Sequence, residues 1–248
     1  MPAQRPDQRP HNRMRPLSFE WDAAANALSS ILLRCGGTHV LCVVSVEEKV
    51  PRWMEQQRVT GGWLSAEYSM LPYSTSERSL RDVTKGKIDG RTQEIQRLIG
   101  RSLRTITRLE ALGRRTLWVD CDVLAADGGT RTTAITGSYL ALRLAIERLA
   151  LKDPSLSEVL TGQVAATSVG IYQETTILDL CYLEDRDASV DMNVVMTQDG
   201  RLVEIGASGE EATFSRQDLD TLMDLAQKGI ETLFAFQETA WLSRPVRT

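Results

Sequence analysis

Residues 116–133, TLWVDCDVLAADGGTRTT, join two different periodicities. Thr116 to Leu124 is an apolar run of strand length, and Ala134 to Leu149 reads as a helix with Ile135, Leu140, Leu144 and Ile146 apolar. Between them lies Asp127-Gly128-Gly129-Thr130-Arg131-Thr132. A glycine pair lets the backbone turn sharply and come close to a ligand. A helix start offers unpaired N–H groups and a positive dipole end, to which two threonine hydroxyls and an arginine add donors. This chemistry suits an oxyanion, most simply phosphate. The G-x-x-x-x-G-K-[ST] spacing of a P-loop is absent. The plain alternative is an ordinary glycine turn with a threonine N-cap.

Outward from this segment the chain alternates strands and helices. Asn26 to Cys35 and Thr38 to Glu48 read as a hairpin turning at Gly36-Gly37. Gly61 to Pro72 reads as another strand, followed by a long, polar and basic loop to Gly90. Arg91 to Leu112 is predicted as one amphipathic helix, with Ile95, Leu98, Ile99, Ile106, Leu109 and Leu112 on one face. A second stripe carries Arg97, Arg101, Arg104 and Arg108, read as facing solvent or an interface, or as following RNA. Strand-like runs continue at Gln163 to Tyr172, Thr176 to Tyr182, Ser189 to Thr197 and Arg201 to Ala207. Ser215, with Asp218 three residues on, opens a last helix to about Glu238. The order predicts an α+β sandwich with helices against mixed or mainly antiparallel sheets. Residues 1–248 are expected to form a single domain with a basic arm at 1–16 that carries Arg5, Arg9, Arg13 and Arg15.

At 248 residues the chain is long enough to bury a sizeable core. No apolar stretch reaches the roughly 18 residues of a membrane span, and the arginine-rich N-terminus has no apolar segment of a secretory signal. Cys35, Cys42, Cys121 and Cys181 lie in or beside apolar runs, which reads as reduced, buried thiols in a cytoplasmic protein. His11 and His39 are the only histidines, which argues against Ser-His-Asp, Cys-His and thiolate–imidazole metal chemistry. The net charge of -4 conceals a segregation. From Arg78 to Arg115 eleven Lys/Arg stand against four Asp/Glu, and from Glu184 to Glu231 four stand against twelve. The pattern suits a polyanion-binding surface beside an acidic region, or two solvated faces of opposite sign. Glu184-Asp185 and Asp191 flank a predicted turn between Thr176 to Tyr182 and Ser189 to Thr197, so Asp185 and Asp191 are expected to converge. The roles open to them are ligands of a hard cation such as Mg²⁺, general acid, or solvated turn caps.

Over nearly the whole length, from about Leu33 to Gln237, the chain resembles the ribonuclease PH family. The matching segments are Gly37-Thr38-His39-Val40, Pro51-Arg52-Trp53, Gly62-Trp63-Leu64 and Ala66-Glu67-Tyr68-Ser69-Met70-Leu71-Pro72. Gly90-Arg91-Thr92-Gln93-Glu94-Ile95, Asp120 to Leu124, Asp127 to Thr132 and Asp191-Met192-Asn193-Val194-Val195-Met196 follow in order. The resemblance implies a ribosomal protein S5 domain 2-like sandwich and a homo-hexamer built as a trimer of dimers. It implies a phosphorolytic 3′-to-5′ exoribonuclease and tRNA nucleotidyltransferase that trims tRNA precursors and other RNA 3′ ends. Inorganic phosphate would be held by Arg91, Gly129, Thr130 and Arg131, with Asp185 and Asp191 catalytic and supported by Mg²⁺. Arg78 and Arg81 match arginines of the RNA-gripping loop, whereas Tyr73 stands where the family has arginine and would either stack on a base instead or weaken the grip on tRNA. Two segments depart from the family pattern: the N-terminal arm, and Ala207-Ser208-Gly209-Glu210 in place of Gly-Thr-Ala-Glu. The competing readings are a non-catalytic RNA-binding ring subunit, which would not need all of these residues, and a metal-dependent hydrolase using water.

Overall fold

The structure, a computed structural model, describes residues 4–81, 84, 86–210 and 212–246. The first three residues of the basic arm, Asp82 and Lys85 of the long basic loop, and Glu211 of the acidic region lie outside the described residues.

Among the described residues, nine strands form two sheets. The first comprises β1 (Leu17–Trp21), β2 (Ser29–Cys35), β3 (Thr38–Glu47), β4 (Trp63–Met70) and β5 (Thr116–Ala125), in the order β1-β2-β3-β5-β4. It is antiparallel except for the parallel β4–β5 pair, whose strands are joined through the helix α2 (Gly90–Arg104). The second is antiparallel, with β6 (Val164–Tyr172), β7 (Thr175–Leu178), β8 (Val190–Thr197) and β9 (Leu202–Gly209) in the order β7-β6-β8-β9. The remaining helices are α1 (Arg52–Gln56), α3 (Thr130–Ala150), α4 (Tyr182–Asp187) and α5 (Arg216–Leu242).

Helix α3 packs against β2 and β3 on one side and β6 on the other, so it lies between the sheets. Ile135, Leu140, Leu142 and Leu144, on several faces of it, are fully buried. A helix apolar all round is what a two-sided environment demands. Strand β5 shows the complementary alternation: Leu117, Val119, Cys121 and Val123 point into the core, while Trp118, Asp120 and Asp122 are only half-buried on the opposite face. Helix α5 covers the second sheet through Leu222, Leu225, Ala226, Ile230 and Leu233. The expected α+β sandwich with mixed sheets is thus borne out. The four cysteines are buried and free.

Four local expectations need correction. The helix over Arg91–Leu112 stops at Arg104. Beyond it the backbone pairs elsewhere, with Arg108 N donating to Val159 O (2.8 Å) and Thr161 N to Ile106 O (2.9 Å). A separate 3-10 turn, Leu109–Leu112, then carries the apolar spacing on into the core. The helix expected from Ala134 starts four residues earlier, so the phosphate-motif residues Thr130, Arg131 and Thr132 form its first turn. The strand expected over Thr176–Tyr182 ends at Leu178, because Asp179 takes a left-handed conformation (φ 56°) and the chain enters α4. Strands β7 and β8 therefore make no hairpin; β6 lies between them. Strand β1 continues the arm and pairs with β2, although Leu17, Phe19 and Trp21 already alternate in the sequence. The arginine stripe faces solvent at Arg97, Arg101 and Arg108, as the solvent reading expected; Arg101 and Arg108 make exposed pairs with Glu204 and Glu158, and Arg104 stacks over Trp63.

Truncating Leu140, fully buried at the centre of the inter-sheet helix, removes contacts with both layers. Leu140→Ala is expected to lower the unfolding free energy by about 2 to 5 kcal/mol in a chemical denaturation series.

Candidate active site

Gly128 and Gly129 both adopt left-handed conformations (φ 73° and 65°) immediately before α3. A side chain on Gly128 would stand 2.6 Å from Leu180 O, so the turn is pressed against the segment that leads into α4. Gly129 sits at the N-cap without a side chain, and the first helical bond runs from Thr133 N to Gly129 O (3.0 Å). The N–H groups of Thr130, Arg131 and Thr132 therefore have no intrahelical acceptor. Thr130 is buried, and its Oγ1 accepts a hydrogen bond from the Tyr68 hydroxyl (2.8 Å). Thr38 Oγ1 donates to Gly128 O (2.6 Å) and accepts from Asp127 N (2.9 Å), tying the turn to β3. The phosphate motif is thus a rigid, backed turn, which an ordinary solvated glycine loop is not.

Arg91, on the first turn of α2, and Arg131, on the first turn of α3, line one cleft of about 790 Å³ together with Asp185 of α4 and Asp191 of β8. Four residues that lie far apart in the sequence are thereby brought together. Asp191 reaches the cleft because β8 alternates, with Val190, Met192 and Val194 turned into the core. Arg131 Nη1 donates to Glu94 Oε1 (2.9 Å). That pair is open to solvent at the glutamate, and an exposed pair of this kind is weak, so an incoming dianion can replace the glutamate.

Besides Asp187, which pairs with Arg186, the cleft contains Glu210, which stands out in the sequence only as part of a departure from the family pattern. Its effect is electrostatic. Asp191 is held above the ordinary carboxylate value, first by burial, then by Asp185 and Glu210, with Arg131 opposing. Asp185 is also raised by the surrounding protein, against the pull of Arg91, Arg131 and Arg15. Oxygen donors of this kind fit a hard divalent ion that shares its coordination with a phosphate. Among the described residues no cluster of three or more His, Cys, Asp or Glu is arranged to hold a metal on its own.

Of the three residues expected to contact RNA, one is brought to a pocket adjoining this cleft. Arg81 lines a second pocket of about 320 Å³ that shares Arg91 with the first. Arg78 and Tyr73 are exposed on the same loop and line neither pocket. The basic arm, expected to be a surface feature, is partly interior: Arg5 and Arg15 are almost fully buried. Of their partners, Glu184 stood out in the sequence only as the neighbour of Asp185, and Asp179 gave no signal. Tyr68, given no chemical role from the sequence, supports Thr130.

Residues 13–146 match domain 1 of the 3′ exoribonuclease family, and residues 162–229 match its domain 2. The chain belongs to this family. It is 51% identical over 236 residues to ribonuclease PH of Bacillus subtilis (strain 168), covering 94% of this chain and 95% of that one. Ribonuclease PH of Parasynechococcus marenigrum (strain WH8102) is 50% identical over 244 residues, covering 97% and 96%. The crystal structure of rice (Oryza sativa) Rrp46 has the same fold, with a TM-score of 0.75 at 19% identity over 95% of this chain and 99% of that one. The protein is a phosphorolytic 3′-to-5′ exoribonuclease of the tRNA nucleotidyltransferase type, with inorganic phosphate as a substrate, and functions in tRNA processing. The reading as a non-catalytic RNA-binding subunit is not favoured.

Because the pKa of Asp191 is raised on folding, its charged form weakens the folded state. Below the unfolded carboxyl value the group is neutral in both states and exerts no effect, and the cost appears as pH rises through the folded value. Asp191→Asn is therefore expected to melt at higher temperature than the unaltered chain near pH 7, with the gain vanishing near pH 4. Thermal melts across that range, without phosphate or RNA, check it.

Proposed function

We propose that Arg91, Arg131, Gly129 and Thr130 hold the attacking phosphate, and that Asp185 and Asp191 serve the scissile phosphodiester of an RNA 3′ end. The observation that carries this reading is the single cleft lined by Arg91, Arg131, Asp185 and Asp191. Phosphate placed against the two guanidiniums and the start of α3 has its charge matched by fixed donors. One of its oxygens attacks the phosphorus of the last phosphodiester in line. The bond from that phosphorus to the 3′-oxygen of the preceding nucleotide breaks, a nucleoside diphosphate leaves, and the shortened RNA keeps a 3′-hydroxyl. A phosphate dianion needs little activation by a protein base, which accounts for chemistry without histidine. The departing 3′-oxygen needs a proton, and a carboxyl group whose pKa is raised by burial and by neighbouring acids is suited to supply it. One phosphodiester is exchanged for one phosphoanhydride, so the reaction runs in either direction and can add nucleotides from diphosphates.

Asp185 and Asp191 would also hold Mg²⁺. Bound there, the ion would stabilise charge developing on the phosphoryl oxygens. Arg78 and Arg81 would grip the RNA backbone, and Tyr73 would stack on a base. The exposure of all three on one loop, with Arg81 lining the pocket that shares Arg91 with the cleft, supports that assignment. The homo-hexamer, a trimer of dimers, is proposed from the family resemblance and is tested by light scattering of the purified chain. Cytoplasmic placement is supported by the four free, buried cysteines and by the lack, among the described residues, of a helix long and apolar enough to cross a membrane. The chain is read as one folding unit because a single apolar cluster includes Ile31 and Val119 of the first sheet with Val164 and Val195 of the second.

Incubation of the purified protein with a 3′-extended tRNA and Mg²⁺, with and without inorganic phosphate, tests the reading. Nucleoside diphosphates released only with phosphate are expected; monophosphates released without it would mean hydrolysis. Arg131→Ala is expected to slow phosphorolysis by roughly 100- to 1000-fold while RNA binding stays nearly unchanged. Equal loss of both would remove Arg131 from the phosphate site.

A further inference from the structure

The two halves of the cleft come from segments that share no secondary-structure element. Arg131 and the glycine turn belong to the start of α3, Asp185 to α4 after β7. A phosphate held by the first must meet the groups of the second at a fixed separation, because in-line attack tolerates little displacement. Direct contacts between the halves are few: the backbone packing at Gly128 and a hydrogen bond from Tyr182 N to Asp127 Oδ1 (3.2 Å).

The arm supplies further ties, chiefly through Arg15 and Arg5, with Arg9 Nη2 also donating to Asp179 O and to Glu184 Oε2 (3.2 Å). Arg15 donates to both oxygens of Asp179, from Nη2 to Oδ1 (2.7 Å) and from Nε to Oδ2 (3.0 Å), while its backbone N–H also reaches Oδ2 (2.7 Å). Nη1 of the same guanidinium donates to Asp127 O, and Nη2 also reaches Gly128 O (3.4 Å). Arg15 therefore spans the gap between the glycine turn and the residue that leads into α4. Arg5 forks onto Glu184, from Nε to Oε1 (2.6 Å) and from Nη2 to Oε2 (2.8 Å), and Nη2 also donates to Asp179 O (3.1 Å). Glu184 in turn accepts from Cys181 N (2.9 Å) at the head of α4 and is the immediate neighbour of Asp185. Arg5, Arg15, Asp179 and Glu184 are all at most 4% exposed. Two planar forks, fully enclosed, fix orientation as well as distance. Arg5 also lies before the segment matched to the family, which begins at residue 13.

We propose that Arg5 and Arg15 are positioning residues of the phosphorolytic reaction: Arg15 holds the phosphate turn, and Arg5 holds the helix that carries Asp185, against one shared point at Asp179. The proposal rests on the assignment of phosphate and Asp185 made above. It separates the two arginines kinetically. Loosening Arg15 displaces the phosphate donors and raises KM for phosphate. Loosening Arg5 displaces Asp185 and lowers kcat. Neither touches RNA, so KM for RNA is left alone.

The test uses Arg15→Lys and Arg5→Lys in the full chain, with phosphate varied at saturating RNA and RNA varied at saturating phosphate. Lysine keeps the charge beside the buried carboxylate but cannot reproduce the fork. Arg15→Lys is expected to raise KM for phosphate, and Arg5→Lys to lower kcat, each by roughly 10- to 100-fold, with KM for RNA unchanged. The double variant Arg5→Gln with Glu184→Gln removes both charges and keeps a neutral hydrogen-bonding pair, which separates stability from positioning. Its kcat is expected to stay depressed in a chain that melts cooperatively. Unchanged phosphate KM and kcat in the lysine variants would overturn this proposal alone, as would full recovery of kcat in the double variant or a loss confined to KM for RNA. An unaltered chain with no phosphate-dependent turnover would overturn the functional reading and this proposal with it.

Discussion

The buried pairing of Arg15 with Asp179 lets two distant segments share one cleft. Burial alone would drive the Asp179 carboxyl up and discourage its charge, yet the hydrogen bonds and charge of Arg15 bring it below the ordinary value. The same pairing holds Asp179 in a left-handed conformation that aspartate tolerates better than most residues. That turn ends β7 and starts α4, which presents Asp185 to the cleft. Cys35 packs against the pair, and its thiol is pushed far up by burial and by the Asp179 carboxylate, so it stays neutral. The pair is a demanding device, because a buried carboxylate without its guanidinium is strongly unfavourable. Its presence therefore constrains the fold at several places together: the arm, the first hairpin, the glycine turn and the start of α4.

The cleft itself is electrostatically unfinished. Arg186 and Asp187 at its edge pair with each other, which leaves Arg91 and Arg131 facing Asp185, Asp191 and Glu210, and Arg131 is engaged by Glu94 at the rim. Asp185 lies close enough to Asp191 to raise its cost of ionisation, Glu210 raises that of both, and Arg131 opposes at each, joined at Asp185 by Arg91 and Arg15. A dianion arriving at the arginines satisfies one side of this imbalance and sharpens the other. A proton or a cation at the aspartates then relieves the second side. The arrangement therefore favours a reaction in which anion and positive charge are both brought in with the substrates.

The amino-acid sequence made the sheet strands, the inter-sheet helix and the glycine turn legible, for reasons visible at single residues. Strand β5 alternates cleanly, and Gly128-Gly129 marks the sharp turn at which the helix begins. The end of α2 was not legible, because Ile106, Leu109 and Leu112 keep helical spacing while the backbone leaves the helix to pair with Val159 and Thr161. Helix α4 is only six residues long, too short to show a period, so Asp185 was placed on a hairpin that does not form. The convergence of Asp185 and Asp191 was nevertheless anticipated, because both orderings bring them to the same end of the sheet. The buried arm was illegible for a deeper reason. Arginines near a polar terminus look like solvated charge, and their partners lie more than 160 positions away.

That separation has a consequence for how the enzyme comes into being. Arg5 is made 179 positions before Glu184. At the usual rates of synthesis the arm waits roughly 10 to 40 s for its carboxylates. Within that interval the glycine turn and Arg131 come to exist before the helix bearing Asp185 does. A ribonuclease made beside the very RNA that encodes it thus stays inert until its arm meets a segment made much later.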